Sequence, residues 1–301
     1  MRLPAASFTG PLARRRTWPR IERLKNAPFP CPGVTGPAGV FADSRTLLHA
    51  TPGFDASRPF VVIVFLHGWR ATLSRRIGGK RYHVVETYRL IEQIDATDIN
   101  AVVVVPQLAR DADTEVVDMP GHPGTFARRR HFARFVNEAL ARIAALRGDA
   151  IRPYRRSPIL LMSFSGGYRA AATALMVGGV DERLLGVIGL DTIYGDTDAF
   201  AAWFAANHRR GFLVAVYTGG RAHDYASAGP TRELARSVVA AGLPGARVRR
   251  TLPPRLEAGV AAFVPVGDPE LHIDLVAAGW PGFDQPVRRL LARLPGFPRV
   301  A

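Results

Sequence analysis

The chain has 301 residues, 48% of them hydrophobic and 22% charged, with a formal net charge of +15. That balance supplies a core and excludes wholesale disorder, and no apolar run approaches the roughly 20 residues a bilayer-spanning helix needs. Only Lys25 and Lys80 are lysines, the other 38 of the 40 basic residues being arginine. The arginines are scattered, without an aromatic-interleaved stripe or a nucleic-acid motif, so a GC-rich coding bias accounts for the charge and no specific nucleic-acid partner is expected.

Cys31 is the single cysteine, so no internal disulfide is available and an oxidising compartment is not required. Arg14-Arg15-Arg16 before Thr17 and Trp18 suggests a twin-arginine export signal, but Arg20, Glu22, Arg23, Lys25 and Asn26 follow where an apolar segment belongs. A cytoplasmic location is therefore expected. Residues 1–30 read as a poorly ordered or loosely packed N-terminal extension. With no internal repeat and no linker, residues 31–301 read as one α/β domain.

Short β-branched runs alternate with helical patterns along the rest of the chain. Earlier strands are expected somewhere in 38–57, where Pro and Gly obscure the boundaries. Buried strands are predicted at Val61 to Leu66, Ala101 to Val105, Ile159 to Met162, Leu184 to Leu190 and Phe212 to Tyr217. A sixth, Ala261 to Val266, is weakened by Pro265. Continuous apolar runs of this length suit strands buried on both faces, as in a parallel sheet. Helices are predicted over Phe126 to Leu146, closed by Gly148, over Ala-rich Tyr168 to Val177, over Ala199 to Asn207, and over Thr231 to Ala241 with Thr231 as its cap. The alternation predicts a mostly parallel, doubly wound sheet flanked by helices.

The sharpest local signal is Ser163-Phe164-Ser165-Gly166-Gly167, placed between an apolar strand and an Ala-rich helix. A nucleophilic serine must project from a tight strand-to-helix turn, and small residues two before and two after it relieve the crowding. The following helix N-terminus adds free N–H groups and partial positive charge where an oxyanion develops. The competing reading, a Gly-rich turn or phosphate cradle, finds no G-x-G-x-x-G or G-x-x-x-x-G-K-[ST] pattern here.

Upstream, His67-Gly68-Trp69 directly follows the first predicted buried strand. Downstream, Glu270-Leu271-His272-Ile273-Asp274 follows the last one, and no histidine lies beyond His272; His223 is the rival base. Two carboxylates compete to orient that base. Asp191 ends the fourth of the predicted buried strands and is preferred, while Asp224, in the loop after the fifth, is the alternative.

From about residue 60 to 280 the chain resembles the α/β-hydrolase superfamily. Within it the chain resembles a little-characterised bacterial branch, through Asn100-Ala101-Val102, Pro106-Gln107-Leu108-Ala109, the Ser-Gly-Gly-Tyr elbow and Leu190-Asp191 before Tyr194-Gly195. The resemblance implies a serine hydrolase of the esterase type with no cofactor. It assigns Ser165 as nucleophile, His272 as base, an acid at Asp191, and the amides of Trp69 and Gly166 as oxyanion donors. His67, Gly68, Gln107 and Tyr194 are expected beside the substrate, a small ester or amide.

Only about 20 residues separate Asp191 from Phe212, too few for the large cap many members insert there. The segment Pro106 to Thr125 is the expected roof. Its Asp111, Asp113, Glu115 and Asp118 fit no metal motif and read as a solvated loop. A non-catalytic binding protein on the same fold, using its arginine-rich surface, is the alternative function. Oligomeric state is not legible from the sequence.

Overall fold

The computed structural model describes residues 18–32, 42–77, 82–109, 122–219 and 227–298. Nine strands form one sheet: β1 (Arg20–Arg23), β2 (Arg45–Ala50), β3 (Val61–Leu66), β4 (Ala101–Pro106), β5 (Ile159–Phe164), β6 (Leu184–Leu190), β7 (Phe212–Thr218), β8 (Arg247–Arg249) and β9 (Val260–Val266). Their spatial order is β1-β2-β4-β3-β5-β6-β7-β9-β8. From β4 to β8 every neighbouring pair is parallel, while β2 runs antiparallel to both β1 and β4.

The predicted strands owe their places to burial. β3, β4, β5 and β7 are buried along their whole length, because helices cover both faces of the sheet. One face carries Val62, Val64, Leu161 and Leu213 towards the helices His131–Arg147 (α2), Tyr168–Val177 (α4) and Ala228–Ala240 (α6). The other carries Ile63, Val103, Met162 and Val214 towards Leu90–Asp95 (α1) and Pro286–Leu291 (α7). In α2 the residues Phe132, Phe135, Val136, Leu140 and Ile143 are buried at helical spacing, and Gly148 closes the helix at φ 80°. Between Asp191 and Phe212 there is one helix, α5 (Thr197–Asn207), and no inserted domain.

Three expectations change. The last part of the supposed N-terminal extension packs against the body: β1 pairs with β2, and Leu24, Ala27 and Phe29 are buried. The charged pattern of Arg20-Ile21-Glu22-Arg23 hid an edge strand whose residues face solvent on one side. Thr231 is not a cap, because α6 begins at Ala228 and Thr231 is fully buried in its first turn. The 126–146 pattern splits into a 3-10 turn, Gly124–Ala127, and α2. Pro265, by contrast, is tolerated within β9. The edge strand β8 pairs only with Val260 to Ala262, so past Ala262 one side of β9 needs no N–H donor. No described helix is long and apolar enough to cross a membrane.

The sheet order places β4 and β5 on opposite sides of β3, which makes a topological switch point at the C-terminal ends of β3 and β5, where open α/β sheets bind ligands.

Phe29, almost wholly buried, makes the packing of residues 18–32 testable. Phe29→Ala is expected to lower unfolding stability by about 3–5 kcal/mol in urea denaturation. A loss under about 1 kcal/mol would mean that this segment is peripheral.

Candidate active site

Ser165 follows β5 directly and has φ 50°, a left-handed conformation that a non-glycine residue adopts only under constraint. Its surroundings impose the small residues. A Cβ on Gly167 would sit 2.4 Å from the Leu66 carbonyl oxygen, and a Cβ on Gly68 would sit 2.7 Å from the Ser165 Cβ. Ser163 is fully buried, and its Oγ has no hydrogen-bond partner among the described residues. The elbow and the turn after β3 therefore touch through glycine on both sides.

His272 ends a 3-10 turn, Pro269–His272, whose start is capped by the Asp268 carboxylate accepting the Glu270 N–H. Its Nε2 lies 3.0 Å from Ser165 Oγ and its Nδ1 lies 2.6 Å from Asp191 Oδ2. The Phe164 ring stacks on the imidazole, with centroids 4.8 Å apart and planes at 28°. Asp191 also has a left-handed backbone, φ 44°, and no solvent exposure. Its Oδ1 accepts from the Thr218 N–H at 3.0 Å and from the Ser227 hydroxyl, and its Oδ2 accepts from Thr218 Oγ1 at 2.6 Å. Burial pushes the Asp191 carboxyl up, but the hydrogen bonds from His272, Ser227 and Thr218 outweigh it and hold the group below its ordinary range. An ionised carboxylate can only accept, so His272 Nδ1 carries the proton and Nε2 presents a lone pair to the Ser165 hydroxyl.

The turn after β3 is clamped by buried groups. Leu108 N–H donates to His67 Nε2 at 2.9 Å, which places the imidazole proton on Nδ1, where it donates to the Gly68 carbonyl at 2.9 Å. Gln107 reaches His67 Nε2 and the carbonyls of Ala71 and Leu108 with its Nε2, and accepts the Leu73 N–H at its Oε1. The Tyr88 hydroxyl is bonded to the Gly68 backbone, and its ring meets Phe164 edge-on at 5.3 Å. The clamp sets Trp69 N beside the elbow, 3.3 Å from where a Gly166 Cβ would stand.

The structure thus brings Ser165, His272, Asp191, Gly68, Trp69 and Gly166 together. His67 and Gln107, expected beside the substrate, are buried and spend their polar atoms on the turn, while His67 also lines the small cavity beside Trp69 and Gly166. Tyr194 is half-buried against Tyr168, ring centroids 5.8 Å apart. Asp224, the rival base His223 and the acidic residues 111–118 lie outside the described residues. Sequence reasoning missed Thr218, Ser227, Phe164 and Thr192, whose Oγ1 donates to the Ser165 carbonyl at 2.9 Å. Thr218, the polar terminus of an apolar strand, was the one with a visible signal. It also missed His122, whose Nδ1 accepts the Gly124 N–H at 2.8 Å, and which lines a small cavity with Trp69, Leu108 and Gly166. No cluster of three metal-ligating side chains occurs among the described residues.

No protein-family model and no curated protein matches the sequence. Solved structures do. The feruloyl esterase module of Clostridium thermocellum, as a serine-to-alanine mutant complexed with sinapinate, aligns over 94% of this chain and 90% of its own at 11% identity and a TM-score of 0.51. The fold is that of the α/β-hydrolases. Esterase 2 of Thermogutta terrifontis, phosphorylated by paraoxon, aligns over 88% of this chain and 84% of its own at 11% identity and a TM-score of 0.46.

Burial drives the pKa of His67 down to about 4 from an ordinary 6.5. The unfolded chain therefore binds this proton first, and the stability present above pH 6.5 is lost as pH falls towards 4. The loss expected from this one group is roughly 3 kcal/mol. Denaturation at pH 7 and pH 4.5 measures it: His67→Gln should lose distinctly less on acidification than the parent, and equal losses would refute the assignment.

Proposed function

We propose that this chain is a serine hydrolase that cleaves a carboxylic ester through an acyl-Ser165 intermediate. One observation carries the reading: a single imidazole bridges a buried, multiply hydrogen-bonded carboxylate and a serine hydroxyl held in a strained elbow, at 2.6 and 3.0 Å. The same three residue types in the same contact order form a general-base relay on several unrelated folds.

In the proposed reaction Ser165 Oγ attacks the ester carbonyl carbon while His272 Nε2 takes the hydroxyl proton. Asp191 stays ionised and accepts the Nδ1–H throughout, which stabilises the imidazolium. The carbonyl oxygen becomes an oxyanion held by the N–H groups of Trp69 and Gly166; each such donor is worth about 10²–10³ in rate. Collapse expels the alcohol, which takes the proton from His272. Water, deprotonated by His272, then attacks the acyl-enzyme and releases the acid and free Ser165. The ester rather than the amide is favoured by the feruloyl esterase module that shares the fold. Trp69, Tyr168 and Tyr194 stand around the elbow as an aromatic surface for the acyl or alcohol part; Trp69 is 38% exposed, with the Arg70 guanidinium 4.0 Å from its ring centroid.

Turnover of short-chain p-nitrophenyl esters tests the proposal. Ser165→Ala is expected to lose essentially all activity over background, and Asp191→Asn to lower kcat by roughly 10³–10⁴-fold with the fold intact. Asp224→Asn should retain most of the activity. Undiminished turnover by Ser165→Ala, or the larger loss in Asp224→Asn, would overturn the assignment of roles.

A further inference from the structure

The sheet ends unevenly at β8. α6 lies over β7 and β9, and the connection from β8 to β9, residues 250–259, holds no helix. Its Leu252 and Leu256 pack on the opposite face of the sheet. Val248, paired with Ala261, points to the α6 side, where nothing among the described residues roofs it. The result is a groove of about 660 Å³ between α6 and β8, in the size range of small-molecule sites.

The lining of the groove is two-natured. Tyr217 and Phe263 form a buried floor, and Val239 and Val248, 60% and 39% exposed, form the walls. Those valines are two of the five large exposed hydrophobics among the described residues, and they line one groove. The charged lining is all cationic among the described residues, from Arg232, Arg236, Arg249 and Arg250, and Arg236, Arg249 and Arg250 have no carboxylate partner among those residues. Arg247 and Arg249 alternate with Val248 and leave β8 on its other face; Arg249 lines the groove from the strand edge, while Arg247 does not line it and is paired with Glu257 at 2.8 Å. Ser165, His272 and Asp191 do not line it.

We propose that this groove is a binding site for an aliphatic carboxylate of fatty-acid type, separate from the Ser165 site. Its chain lies on the valines over the Tyr217 and Phe263 floor, and its carboxylate is held by the rim guanidinium groups, whose planar donors match it. A bare inorganic anion would leave the apolar walls unused. A peptide adding to the sheet edge would find only a three-residue strand to pair with and would leave the apolar walls unfilled.

Calorimetric titration of the full chain with monomeric dodecanoate tests this, beside dodecyltrimethylammonium of the same chain length and acetate without the chain. Dodecanoate is expected to saturate one site, with the other two binding at least about tenfold more weakly. The double variant Arg236→Gln/Arg250→Gln should weaken dodecanoate about tenfold or more, and Val248→Asp should do the same. All three positions are exposed, and a parent-like melting temperature verifies each variant; should Val248→Asp unfold, the arginine pair alone decides. Three results would overturn the proposal. One is no saturable binding. Another is equal binding of the cationic amphiphile or of acetate. The third is parent-like affinity in the arginine variant, which places dodecanoate elsewhere.

Discussion

The site is built on one buried carboxylate. Asp191 has no exposed surface, and a charge taken out of water that far is costly unless its lone pairs are filled. They are filled from three separate parts of the chain: Thr218 at the end of β7, Ser227 at the entrance to α6, and His272 in the turn after β9. Each donor reduces the cost of burying the charge, and each is in turn fixed in space by it. The ends of β6, β7 and β9 and the start of α6 are therefore tied at a single point. The imidazole, held on one side by Asp191 and on its face by Phe164, has little freedom left except to face Ser165.

The second half of the site is fixed by exclusion rather than attraction. Gly68 and Gly167 are the places where the turn after β3 and the elbow after β5 approach too closely for a side chain. The turn does not collapse into that contact, because His67, Gln107 and Tyr88 hold it from behind with buried hydrogen bonds. This is a preorganised arrangement, in which the donors proposed for an oxyanion are positioned before substrate arrives.

The central strands and the elbow were legible because their physics is local. A strand buried on both faces must be continuously apolar, and a serine in a strained turn must have small neighbours. Both leave marks in a stretch of five or six residues. The preference for Asp191 over Asp224 rested on its place at a strand end and on the family resemblance; among the described residues, His272 Nδ1 contacts Asp191. What escaped was the role of residues whose partners are distant in sequence. Thr218 stands out as the polar end of an apolar strand, but neither it nor Ser227 announces which carboxylate, 27 or 36 residues away, it serves. The clamp behind the turn escaped in the same way, since the Leu108 N–H that meets His67 and the Ala71 carbonyl that meets Gln107 lie 41 and 36 residues away. The edge strands β1 and β8 escaped for a different reason: their exposed arginines remove the apolar pattern by which strands are recognised.

The central claim is that Ser165 is a nucleophile activated by this relay, and a covalent probe tests it most directly. The intact protein, treated with a fluorophosphonate and digested, should carry one phosphonyl group on the peptide containing Ser165, formed only slowly when His272 is replaced by alanine. A properly folded protein that stays unmodified, or an adduct on another residue, would contradict the account.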